Sequence, residues 1–214
     1  MLATIRSIWY FILPFILWMA FGLGVIIITE REALHVVINQ YHHPILDVFF
    51  RYVTYLGDGL FGAIIVALGF IYRIRYGVIG LLGFAGSAIV TQLLKRQVFH
   101  DIYRPSSVFK EMGILHFVDG VDLHSKFSFP SGHATAAFAT FIFLAMMSTN
   151  RWVQLTCFAI AWITAFSRVY ISQHFFEDIY AGSIIGTSIT MLAYHFLRTR
   201  SWGEKGFVEL FERS

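Results

Sequence analysis

The sequence predicts an all-α integral membrane protein, built as a bundle of about six transmembrane helices. Of its 214 residues, 57% are hydrophobic and only 14% are charged, whereas a soluble domain carries about a quarter charged residues. The apolar residues are also gathered into runs that approach or reach the roughly 20 residues a helix needs to cross a bilayer. The length suggests one domain, so we treat residues 1–214 as a single unit.

Six apolar runs are the predicted spans. The first follows Arg6 and is too long for the apolar part of a signal peptide, which has about 7–15 residues. The second is short for a span unless it takes in residues before it. The six runs cover residues 7–29, 59–72, 76–94, 132–148, 152–166 and 179–197.

Two segments between these runs do not fit as spans. Residues 30–57 mix charged with apolar side chains and are predicted to form an amphipathic helix lying at the membrane interface. Residues 98–129 are polar and contain Pro105. This second segment is too long for a simple connector, so we expect an extracytoplasmic loop with at most a short helix.

The distribution of lysine and arginine predicts the orientation. In the six-span arrangement most basic residues of the short loops fall on one side, which by the positive-inside rule is the cytoplasm. Both termini are then cytoplasmic, and in a bacterium the opposite side is the periplasmic face of the inner (plasma) membrane. The formal charge of +3 therefore indicates topology, not nucleic-acid binding. The cytoplasmic cations are Arg6, Arg73, Arg75, Arg151, Arg198, Arg200 and Lys205.

Three polar clusters meet on the predicted outer side, at the ends of spans. A charge at membrane depth costs about 2–4 kcal/mol on insertion scales, so such residues are functional candidates. The first cluster follows the third span, the second opens the fourth, and the third joins the fifth to the sixth. Their candidate residues are Lys95, Arg104, Ser131, Gly132, His133, Arg168, His174 and Asp178.

These side chains fit the chemistry of phosphoryl transfer. Arginine and lysine can clamp phosphate oxygens, and a helix that opens at Gly132 would offer its N-terminus to an anion. His174 and Asp178 are four residues apart, so on a helix they share a face. The carboxylate can then hold one ring nitrogen while the other attacks phosphorus. His133 can serve as general acid and then base. No step needs a metal or another cofactor.

The pattern resembles the type 2 phosphatidic acid phosphatase (PAP2) family, whose motifs are K-x6-R-P, P-S-G-H and S-R-x5-H-x3-D. The second and third match in full, in residues 130–133 and 167–178. The first departs, because Lys95 lies two residues farther from Arg104 than the family spacing and Arg96 lies one farther. We assign the lysine role to Lys95, with Arg96 as competitor, and expect the extra residues to bulge the loop before Arg104. The resemblance covers roughly residues 59–197.

The resemblance implies a membrane lipid phosphatase with a six-span helical core. His174 would be the nucleophile that forms a phosphohistidine, Asp178 its orienting group and His133 the acid. The implied substrates are membrane lipid phosphates, namely prenyl diphosphates, phosphatidylglycerophosphate, phosphatidic acid or the phosphates of lipid A. The residues implied to bind phosphate are Lys95, Arg104, Ser131, Gly132 and Arg168.

Other functions remain open at this point. A phosphotransferase that passes the phosphoryl group to a lipid acceptor would use the same residues. Vanadium haloperoxidases have similar motifs, but as a group they are soluble or loosely attached proteins. A lipid-binding or transport protein with a relic site is a third alternative, although a relic site has no reason to keep its nucleophile and acid together. Nothing in the sequence predicts the oligomeric state.

Overall fold

The computed structural model describes residues 2–198, 202–203 and 205–206, and these residues form helices and connecting loops without a β-strand. The prediction of an all-α membrane bundle is confirmed. The helices, in chain order, are α1 (Leu2–Ser7), α2 (Trp9–Ile28), α3 (Arg31–Asn39), α4 (Pro44–Val53), α5 (Gly59–Tyr72), α6 (Ile74–Leu93), α7 (Pro105–Val108), α8 (Gly132–Met146), α9 (Arg151–Tyr170) and α10 (Phe176–Leu197).

Each predicted apolar run coincides over most of its length with one helix, namely α2, α5, α6, α8, α9 or α10. Helices α2 and α9, and α6 with the turn that follows it, are individually long and apolar enough to cross a membrane. Helix α5 reaches that length only with α4 and the 3₁₀ turn Thr54–Gly57, to which it is joined at a bend of 48°. The short second run is therefore long enough to cross a membrane only if it is counted with these upstream residues. Helix α8 is shorter, at 15 residues, and α10 has 22.

The segment 30–57 differs from the single interfacial helix expected for it. It forms two helices, α3 and α4, because Pro44 lacks a backbone N–H and so begins a new helix instead of continuing the first. The side chain of His43 caps α4 by accepting the N–H of Ile45 at 3.3 Å. Asp58 caps α5 in the same way, accepting the N–H of Leu60 at 2.8 Å.

Helix α8 lies at the centre of the bundle, and α10 packs directly on its backbone. A Cβ atom built on Gly182 would lie 2.6 Å from the carbonyl oxygen of Ser131, and one on Gly186 would lie 2.3 Å from that of Thr135. Only glycine allows this approach, as is common where membrane helices pack closely. The contact brings the N-termini of α8 and α10 together, which is where the second and third motifs lie.

Gly186→Ala is expected to lower the free energy of unfolding by about 1–3 kcal/mol, the usual cost of overpacking. The added methyl group would meet the backbone of α8, which cannot rotate out of the way as a side chain can. Unfolding titrations with SDS in mixed detergent micelles would measure the change. Gly24→Ala is the matched control, because a Cβ atom at Gly24 meets nothing within 4 Å. Equal stability of the two variants would contradict the prediction.

Candidate active site

The turn between α9 and α10 carries His174. Helix α9 ends at Tyr170, and Ser172 has φ +55°, a left-handed conformation that reverses the chain. The carbonyl oxygen of Arg168 then accepts the N–H groups of both Gln173, at 2.9 Å, and His174, at 3.0 Å. The five residues between Arg168 and His174 thus form the end of α9 and the tight turn that follows it, which explains the spacing of the third motif.

His174 and Asp178 are in contact, but not on the face of one helix as the sequence predicts. His174 precedes α10, and Asp178 lies in the first turn of that helix. The Oδ2 atom of Asp178 lies 3.1 Å from Nδ1 of His174, and it also accepts the N–H of Phe175 at 2.9 Å and the hydroxyl of Ser128. Asp178 thus holds Nδ1 of the buried imidazole, and Nε2 is the ring nitrogen that this contact does not occupy.

Ser131 joins the second motif to the third. Its hydroxyl oxygen caps α8 by accepting the N–H of Ala134 at 3.3 Å, and its own N–H donates to the carbonyl oxygen of Asp178 at 2.9 Å. Both groups of Ser131 are engaged inside the protein, and its contact with phosphate stays a prediction. The N–H groups of Gly132 and His133 have no acceptor within the helix, as expected of its first turn, and they suit an anion.

Lys95 and Arg104, the first-motif cations, are buried beside this pair. The Nζ atom of Lys95 donates to the carbonyl oxygen of Phe127 at 3.0 Å. Arg104 donates from Nη1 to the side-chain oxygen of Gln173 at 2.9 Å and to its carbonyl oxygen at 3.3 Å. Arg104 is thereby tied to the residue that precedes His174.

Arg168 is the third buried cation. Its Nη1 donates to the hydroxyl of Thr54 at 2.7 Å, whereas its buried Nε has no partner among the described residues. Within the same residues, neither Arg168 nor Lys95 nor Arg104 forms an ion pair with a carboxylate. Buried charges are costly unless they are compensated, so this cluster has the chemistry to bind an anion that comes from outside the protein.

The first motif begins at the end of α6, and the expected bulge of the loop before Arg104 stays a prediction. Residues Leu94–Val98 form a π-helical turn, which accommodates extra residues without ending the helix. Within this turn Lys95 is buried and Arg96 is exposed. The geometry therefore favours Lys95 over Arg96 as the first cation of the site.

The surroundings of His174 keep its ring neutral. Burial is the main cause that holds the pKa of His174 well below its usual value of 6.5. Four neighbours act in the same direction by charge: Arg104, Lys95, Arg168 and His133. A neutral imidazole is the form that can act as a nucleophile, so the cation cluster favours the reactive state of His174 at neutral pH.

Three residues of the site have no signal in the sequence. Ser128 bonds to Asp178, Gln173 bonds to Arg104, and Thr54 bonds to Arg168. Gln173 also donates to the carbonyl oxygen of Asp122 at 2.9 Å, which ties the 98–129 loop to the turn of His174. These contacts join distant parts of the chain, and neither periodicity nor motif spacing indicates them.

Two pockets reach His133 from different sides. One, of about 250 Å³, is polar and includes Arg168 and His124 in its walls. The other, of about 270 Å³, is mainly apolar and lies between the bend before α5, helix α6 and the start of α8. His133 therefore lines both a polar pocket and a mainly apolar pocket.

Together these features fit a membrane-embedded enzyme of phosphate chemistry, with a buried His–Asp pair and three buried cations that form no ion pair among the described residues. Residues 76–202 match the family model of the PAP2 superfamily, and the chain belongs to this superfamily. It is an enzyme of the PAP2 phosphatase class and an integral membrane protein.

Relatives and solved structures agree with this membership. The chain is 26% identical to the lipid A 4'-phosphatase of Porphyromonas gingivalis over 82% of its own length and 76% of that protein. The crystal structure of LpxE from Aquifex aeolicus shares the fold, with a TM-score of 0.67 and 24% identity over 76% of this chain and 93% of that one. So does a PAP2-type phosphatidylglycerolphosphate phosphatase from Bacillus subtilis, with a TM-score of 0.63 and 24% identity over 88% and 96%.

Proposed function

We propose that the protein hydrolyses a phosphate monoester or diphosphate of a membrane lipid, without a metal, through a phosphohistidine intermediate. The observation that carries the proposal is the set of three buried cations, none paired with a carboxylate among the described residues, around a histidine held by Asp178. A phosphate group supplies the missing negative charge, and its phosphorus then lies within reach of the free ring nitrogen.

In the proposed reaction, Nε2 of His174 attacks phosphorus in line with the bond to the leaving oxygen. That bond breaks as His133 gives its proton to the departing oxygen. A water molecule, deprotonated by His133, then attacks the phosphohistidine and releases inorganic phosphate. Lys95, Arg104 and Arg168, with the N–H groups of Gly132 and His133, stabilise the charge on the phosphoryl oxygens in both steps.

We propose that the substrate enters from the membrane with its tails in the apolar pocket between α5, α6 and α8. That pocket adjoins His133, which is the proposed proton donor. The substrates we consider are prenyl diphosphates, phosphatidylglycerophosphate, phosphatidic acid and lipid A. The relative from P. gingivalis, which matches over most of this chain, favours a lipid A type of substrate.

We propose further that residues 1–214 act as one domain in the bacterial inner membrane, with both termini cytoplasmic and the site on the periplasmic face. In support of a single domain, Trp18 of α2 packs on Phe176 of α10 with ring centroids 5.2 Å apart.

In support of the orientation, Arg75 and Arg198 line one pocket at the ends of α6 and α10 that lie far from Lys95 and Asp178. Arg200, also assigned to that side, lies outside the described residues. Labelling of a cysteine placed at Lys110 by an impermeant reagent in intact spheroplasts would support this orientation, and labelling only after lysis would reject it.

The test is phosphate release by the purified protein in detergent micelles that contain EDTA. The panel would consist of a prenyl diphosphate, phosphatidylglycerophosphate, phosphatidic acid and lipid A. Release from at least one lipid in EDTA is expected, and a lipid acceptor added to the same assay separates transfer from hydrolysis. No release from any of the four, or release only after a divalent metal is restored, would contradict the proposed function.

A further inference from the structure

The stretch from Lys95 to Arg104, which is two residues longer than the family spacing, lines a further pocket. The π-helical turn Leu94–Val98 and the residues after it line a pocket of about 780 Å³ on the outer side of Lys95. Its polar walls are Gln92, Lys95, Arg96, Gln97, His100 and Arg104. Three of these side chains, Arg96, Gln97 and His100, lie between Lys95 and Arg104, in the stretch that departs from the family spacing.

This pocket is continuous with the proposed phosphate site, because Lys95 and Arg104 belong to both. Arg104 bonds to Gln173, the residue that precedes His174. Lys95 and Arg104 are buried and form the inner wall of the pocket, whereas the outer wall consists of exposed residues, namely Gln92, Arg96, Gln97 and His100. A group bound to the outer wall could therefore belong to the same molecule whose phosphate meets His174. A pocket of this volume is much larger than a single phosphate group needs.

The outer wall offers recognition chemistry for a polar headgroup. Arg96 can bind an anionic oxygen pair in a bidentate way. The amides of Gln92 and Gln97 can donate to and accept from hydroxyl groups. His100 already has a partner on the surface, since its Nε2 lies 2.9 Å from the carboxylate of Asp101. Arg96 is then the cation of the outer wall with the most to gain from a second anion.

We propose that this pocket binds a second phosphate carried by the headgroup of the substrate, separated from the reacting phosphate by a glycerol or sugar unit. The proposal rests on the proposed function and narrows its substrate class. Arg96 binds the second phosphate, and the two glutamines bind hydroxyl groups of the unit between the phosphates. A lipid with one phosphate and no further headgroup does not contact the outer wall, so Arg96 does not contribute to its binding.

The test compares kcat/KM of wild type and Arg96→Gln on three lipids in micelles. Phosphatidic acid has one phosphate, phosphatidylglycerophosphate has two separated by glycerol, and a disaccharide lipid with two phosphates has them separated by sugars. For at least one of the two-phosphate lipids, the ratio of its kcat/KM to that of phosphatidic acid is expected to fall about tenfold, through a higher KM. The lipid whose ratio falls identifies the spacing unit.

Lys110→Gln is the matched control, because Lys110 is an exposed cation of the same loop region outside the pocket. It should leave both ratios unchanged. Equal losses on all three lipids in Arg96→Gln, or the same change of ratio in Lys110→Gln, would overturn the subsite while leaving the proposed function intact. Absence of phosphate release by the wild-type protein from every lipid would instead reject the proposed function, and the subsite with it.

Discussion

His174→Ala is expected to lower kcat for lipid phosphate hydrolysis by about 10⁴- to 10⁶-fold, the range seen when a covalent nucleophile is removed. The imidazole is buried, its Nδ1 is held by Asp178, and its lowered pKa keeps the ring neutral. No other imidazole of the site has a carboxylate partner of this kind among the described residues. His133, the proposed acid, cannot replace it, because one ring would then have to attack phosphorus and protonate the leaving group.

A direct measurement is the trapping of a phosphoenzyme with ³²P-labelled lipid, followed by rapid quenching in base. Wild type should carry a label that is stable in base and lost in acid, as a phosphoramidate is, and His174→Ala should carry none. His195→Ala is the control, since His195 lies at the other end of α10 and bonds to Thr4 at 3.2 Å. Label retained in His174→Ala, or activity above about a hundredth of wild type, would place the nucleophile elsewhere.

Asp178→Asn is expected to lower kcat by about 10²- to 10⁴-fold, as loss of the orienting carboxylate does in other nucleophile–base systems. Oδ2 of Asp178 accepts from Ser128, Phe175 and His174 at once. An amide oxygen can keep these contacts but carries no charge to offset the positive imidazole that forms on phosphorylation. Its amide nitrogen would replace Oδ1, which is buried without a partner among the described residues, and so would remain unsatisfied.

Glu177→Gln is the matched control for this change. Glu177 is the neighbouring acid, partly exposed, and its carboxylate pairs with Arg31 at 3.0 Å instead of with the site. Such a pair contributes little, so kcat should stay within about twofold of wild type. Stopped-flow measurement of phosphorylation and of phosphate release would show whether Asp178→Asn slows the first step. A loss of less than about tenfold, or an equal loss in Glu177→Gln, would remove the orienting role of Asp178.

The local sequence predicts which segments form helices and at which end of the bundle the three motifs lie. The apolar runs are long enough that their helical form follows from the need to satisfy every backbone polar group inside a membrane. Residues 7–29 are the clearest case, since α2 fills most of that run and is by itself long and apolar enough to cross a membrane. The break at Pro44 is also written in the sequence, and treating 30–57 as one helix overlooked that proline.

The sequence by itself determined the membrane bundle, and it predicts the candidate site residues because their types and spacings are local properties of the chain. These residues are Lys95, Arg104, Arg168, His133, His174 and Asp178. The tertiary structure decided how they meet. It placed His174 in a turn instead of on α10, and it buried Lys95 in a π-helical turn. It also supplied Ser128, Gln173 and Thr54 as partners. Those partners lie far along the chain from some of the groups they bind, and only the packing of α8 on the glycines of α10 brings the motifs close enough to act together.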